Sequence, residues 1–211
     1  MRIRAKGFWG LGAALTLGAA VVVLTNFASA APGGAQHVKW DIVSVSPIPI
    51  APPPPVTFNP GGVATALSPD GVTITLTGSG TFVAPAGGNG GSNAVTGGGT
   101  WSISGGGGGG TYEVKELVDW EFATPQPLLI GGFPVNDNTG DTTERTNGVA
   151  VLRIEFSDGK SGVLTVGCHG PGAPAGIFEG VATTRGFTTF YNVPAPPANG
   201  NTGRTLFHVR S

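Results

Sequence analysis

Few side chains in this sequence are of the kinds that do chemistry, and their spacing restricts what they can do. Cys168 is the sole cysteine and His169 follows it directly. Neighbours on a strand point to opposite faces, so this pair does not make a nucleophile with its base. His37 and His208 complete the histidines, and no spacing supplies either with a third, orienting residue. No glycine-elbow serine motif is present. No catalytic residue is therefore assigned from the sequence, and whether the chain is an enzyme stays open at this level.

The metal and ligand candidates rest on composition. His37, His169 and His208 with one carboxylate are compatible with a metal set in a β-domain, but they form no compact signature. Asn136-Asp137-Asn138-Thr139-Gly140-Asp141, with Glu144 beyond it, is rich in hard oxygen donors. It lacks the ligand spacing of an EF-hand. Asp137 and Asp141 are the candidate ligands for a structural calcium ion, set against a plain solvated turn; no other cofactor is expected. Trp101, Trp120 and Tyr191 are the candidate ligand-binding residues, since aromatic platforms take sugars and small apolar molecules. They are equally ordinary sheet-core residues, and Trp120 is in phase with apolar neighbours.

The elements that must position these groups read as strands. In residues 111–123, Tyr112, Val114, Val118, Trp120 and Phe122 share one parity, opposite Glu113, Lys115, Asp119 and Glu121. Glu116 and Leu117 break that alternation, which a bulge near the pair or a strand end at Glu116 would reconcile. Glu116 is then either a carboxylate projecting into the interior or a cross-strand partner of Arg153. Leu152, Ile154 and Phe156 face one way, Ser157-Asp158-Gly159-Lys160 supplies a hairpin turn, and Leu164, Val166 and Cys168 return in phase. Cys168 is thus expected to be a buried, small hydrophobe. Val72, Ile74 and Leu76 alternate with threonines, and residues 37–45 form a further strand. Prolines in 47–55 exclude a central strand there, leaving a stiff surface connector. The six glycines 105–110 read as a mobile loop; no lysine or helix start follows them to make a phosphate cradle.

The fold class that follows is all-β: an antiparallel β-sandwich or small β-barrel of about eight to ten strands with long Gly/Pro-rich loops. Gly and Pro number 38 and 18, yet the aromatic and β-branched residues cluster between them in short runs, as strands require. We divide the chain into a leader, 1–30, an extended Pro-rich segment with one strand, 31–62, and a single β-rich domain, 63–211.

The leader has a basic start at Arg2, Arg4 and Lys6, an uncharged run over 8–24, and Ala28-Ser29-Ala30 before the expected cleavage. That is the pattern of a secretory signal peptide, so a secreted or extracytoplasmic location is expected. Losing its three basic residues leaves eight of the eleven against twelve acidic ones. A sparsely charged, mildly acidic chain has no basic stripe for nucleic acid. No membrane segment is expected beyond the leader. A single cysteine allows no internal disulfide, so the exported domain must rely on its apolar core.

The function expected from these readings is a secreted, non-enzymatic β-domain that binds a small molecule or an extracytoplasmic protein, or serves structurally. The alternative is a small β-barrel enzyme, an isomerase, cyclase or hydrolase, with polar residues in its interior. That alternative predicts Glu116 or a histidine in an apolar cavity with a perturbed pKa. A metal-dependent adhesion domain is the third reading.

Overall fold

The computed structural model describes residues 34–47, 55–86, 90–194 and 202–210. The leader, the proline-rich stretch 48–54, part of the Gly/Asn loop and most of the insert 194–203 lie outside the described residues. The structure is all-β, with 64% of it in strands. No described helix is long and apolar enough to cross a membrane.

The strands are β1 (Gln36–Ser46), β2 (Thr57–Pro60), β3 (Ala64–Leu67), β4 (Thr73–Leu76), β5 (Ser79–Ala84), β6 (Val95–Ile103), β7 (Gly109–Pro125), β8 (Leu129–Ile130), β9 (Phe133–Pro134), β10 (Asn136–Asp137), β11 (Arg145–Phe156), β12 (Ser161–Cys168), β13 (Gly180–Arg185), β14 (Thr188–Asn192) and β15 (Arg204–Arg210). There are more strands than the sequence pattern suggests because long ribbons are broken by bends. β4 and β5, for instance, are successive parts of one arm that runs antiparallel to β6.

Hydrogen-bonded pairing closes on itself. One ring runs β1–β5–β6–β7–β11–β15 and back to β1. A second runs β11–β12–β13–β14–β3–β4–β6–β7. Both share the β6–β7–β11 wall, and closure leaves few open strand edges. One apolar cluster fills the interior. Trp120 lies edge-on to Phe82 at 5.4 Å and to Phe207 at 4.7 Å, while Trp101 packs on Phe156 at 5.5 Å. Trp40, on β1, is fully buried in the same cluster, so the strand of the 31–62 segment contributes to the core.

Two details of the long β7–β11 pairing matter for the candidate residues. Its register slips between Val151 and Leu152 and again between Arg153 and Ile154. Val118 and Lys115 are the extra residues. The two slips flank Glu116-Leu117 and re-phase it, burying Leu117 and turning Glu116 outward opposite Arg153. The β11–β12 hairpin forms at Asp158-Gly159, with Gly159 at φ 82°, a conformation that costs glycine little. The glycines of 105–110 are not an open loop: they close the β6–β7 hairpin, and Gly109 and Gly110 already pair with Ser102 and Trp101.

Candidate functional site

β1, β5 and β15 present an outward face on which alternate residues are polar. His37, Lys39 and Asp41 follow each other at two-residue spacing on β1. Lys39 pairs across to His208 on β15 and to Thr81 on β5, and Arg145 at the start of β11 pairs with His208 from the other side. The segment from β10 to β11 then folds over this face. Gly140 makes this possible: a Cβ there would sit 2.6 Å from His208 Nε2, so only glycine lets the backbone rest on the imidazole.

Under that segment His208 meets Asp137 and Lys39 meets Asp41. His208 Nε2 lies 3.0 Å from Asp137 Oδ2, and both side chains are buried. Asp137 Oδ1 accepts from the Thr139 amide at 2.8 Å, the Thr139 hydroxyl at 2.6 Å and the Gly140 amide at 3.2 Å. Burial alone would raise this carboxyl, but the hydrogen bonds from His208 and Thr139 outweigh it and hold Asp137 below its ordinary value. Lys39 Nζ donates to the Thr139 carbonyl and pairs with Asp41 at 3.1 Å. Asp41 is raised, burial outweighing Lys39. Arg145 donates to the Pro127 carbonyl at 2.6 Å and lies over the Phe58 ring.

Beside this layer is a cleft of about 340 Å³, bordered by His37, Lys39, Thr81, Asp141, His208 and Arg210. Arg210 Nε is held 2.9 Å from Glu144.

A second, smaller recess of about 100 Å³ lies where β12 ends. Cys168 is buried there; its thiol donates to the Thr205 carbonyl at 3.2 Å and lies 3.2 Å from Gln126 Nε2. Burial pushes this thiol well up, so it is a poor nucleophile. Glu179, half-buried, accepts from the His169 amide at 2.5 Å and the Thr205 amide at 2.9 Å. Burial dominates and raises its carboxyl to about 7, against the pull of those amides, Arg204 and His169. Val45, Phe58, Ile130 and Leu206 form the apolar walls.

The residues singled out in the sequence are distributed as follows. Trp120 is fully buried, its indole N–H donating to Gln36 at 2.7 Å. Trp101 is 4% exposed and carries the Arg185 guanidinium 4.2 Å over its ring. Tyr191 is exposed and stands opposite Leu67 on β3. The three occupy separate surroundings. Asp137 joins its own segment to His208 on β15, and Asp141 caps its own segment, accepting from the Thr143 amide and hydroxyl at 2.8 Å each. Among the described residues no three His, Cys, Asp or Glu side chains converge as a metal set. Glu116 is not an interior carboxylate; its Oε2 accepts from Arg153 Nε at 2.7 Å on the surface. His37 and His208 border the same cleft, while His169 is at the recess.

Sequence reasoning missed the Asp137–His208 pair and Glu179. The polar parity of His37, Lys39 and Asp41 was a readable signal for the outward face. Glu179 had none, because its burial depends on β15, which lies 26 residues away at Thr205.

No protein-family model, curated protein or solved structure matches the chain.

Proposed function

We propose that the chain is an exported, non-enzymatic binding domain whose small polar ligand sits in the cleft over β1, β5 and β15. The observation that carries this reading is the cleft itself: at about 340 Å³ it falls within the size of small-molecule sites. Of the polar groups at its border, Lys39 pairs with Asp41, His208 with Asp137 and Arg210 with Glu144, while Asp141 accepts from Thr143. Paired groups orient a ligand by hydrogen bonds without an activated nucleophile or a free acid–base couple. Export is supported by the leader pattern in residues 1–30. The enzyme alternative draws support from Glu179, whose carboxyl at about 7 is suited to proton transfer, but it lies at the smaller recess and not in this cleft.

The test is an NMR screen of a library of small polar molecules against the purified chain, following the ring signals of His37 and His208. Ligands are expected to move His37 and the Thr81 amide, and Thr81→Trp, which fills the cleft from β5, is expected to abolish the effect. Hits that map elsewhere, or that are chemically converted during the titration, would overturn the reading.

A further inference from the structure

The recess at the end of β12 carries its own chemistry, independent of the outer cleft. Arg204 borders it and makes no side-chain hydrogen bond or ion pair among the described residues; its Nε is buried without a partner. A buried, unmatched guanidinium N–H is costly to leave and is a strong donor to a planar anion. Glu179 also borders the recess, close enough to feel Arg204's charge without forming an ion pair with it, and its two oxygens accept from the His169 and Thr205 amides. Gln126, Cys168, His169 and Thr205 also border it, and Val45, Phe58, Ile130 and Leu206 supply its hydrocarbon walls. About 100 Å³ is room for roughly three waters.

We propose that this recess is a binding site for a short-chain carboxylate of acetate or propionate size, its charge on Arg204 and its alkyl end against Val45, Phe58, Ile130 and Leu206. The size excludes larger acids, and the apolar walls disfavour phosphate and sulfate, whose every face needs hydrogen bonds. A carboxylate placed here stands beside Glu179, so binding favours the protonated form of that residue. Uptake of the anion therefore carries a proton with it, and affinity rises as pH falls through about 7. The other groups near Glu179 are His169, Arg204 and the Cys168 thiol; β1, β2 and β8 contribute only Val45, Phe58 and Ile130, and β14 contributes the Asn192 amide.

The experiment titrates acetate and propionate into the purified chain at pH 6 and pH 8, reading the amide signals of His169 and Thr205. Saturable shifts are expected in the millimolar range, with affinity higher at pH 6 by roughly tenfold. Glu179→Gln should bind without that pH dependence, and His169→Gln should keep it. Arg204→Gln should not bind. Ile130→Trp, a change in the small β8–β9 hairpin that fills the recess without touching a charge, should also not bind. The signals of His37 should stay still throughout, which separates this site from the outer cleft. Absence of saturation in the unsubstituted chain, retained binding in Arg204→Gln or Ile130→Trp, or a pH dependence that follows His169 and not Glu179 would overturn the proposal.

Discussion

Asp137 and Glu179 are both carboxylates withdrawn from water, and they end on opposite sides of the ordinary range. Asp137 has a side-chain partner on each oxygen, His208 on one and the Thr139 hydroxyl on the other, with two amides besides. Glu179 has two backbone amides, and its charged neighbours stand off at a distance. Burial raises both. The count and closeness of donors decide the sign, so the outer face holds a fixed anion whereas the recess holds a carboxyl that titrates near neutrality.

Asp137→Asn tests the fixed side and should have the largest effect. It removes the charge opposite His208 and replaces an acceptor with a donor where His208 also donates. A loss of up to about 3 kcal/mol is expected from the unmet buried donors, read by chemical denaturation at pH 7. Because the folded carboxyl is held low, its contribution is present above the ordinary carboxylate value and is lost as pH falls through the lowered one. The variant should therefore be less sensitive to acid than the parent, and equal sensitivity would break the contrast.

Glu179→Gln tests the titrating side with the opposite sign. The folded carboxyl is raised from 4.5 to about 7, so the folded state holds a proton that the unfolded chain has released. Its favourable contribution is complete below about 4.5 and is lost as pH rises through about 7. With about 1.4 kcal/mol per decade, the parent should lose at most roughly 3 kcal/mol more than the glutamine variant between pH 4.5 and 8. Denaturation series across that window measure it, and parallel curves would mean that Glu179 is ionised in the fold.

The smallest effect is expected from the surface. Glu116 and Arg153 are half-exposed partners on the β7–β11 ladder, and exposed pairs contribute little. Arg153→Gln should change stability by less than about 0.5 kcal/mol, measured in the same assay. A larger loss would mean that the pair helps to fix the register slips beside it.

The legible part of the molecule was the part governed by local periodicity. Alternation in residues 150–156 and 162–168 placed Cys168 among apolar residues, and Asp158-Gly159 placed the turn between them; the structure pairs these strands and buries Cys168. The broken parity at Glu116-Leu117 correctly signalled an irregularity, and the slips on either side of it turn Glu116 outward. Strand phase already set Trp120 among apolar neighbours, and the structure buries it, whereas residue type alone did not mark Tyr191 as exposed.

By itself, then, the sequence determined the strand-forming runs, the hairpin at Asp158-Gly159 and the phase of Cys168. These follow from interactions between residues close in the chain. Only the tertiary structure decided which distant groups meet: His208 with Asp137 across 71 positions, and Glu179 with Thr205 across 26. Those meetings depend on how the sheet closes, and strand order leaves no mark in period-two patterning. The same closure gave Asp137 and Glu179 their different fates, since each carboxyl's proton affinity is set by the donors and dielectric that other strands bring to it.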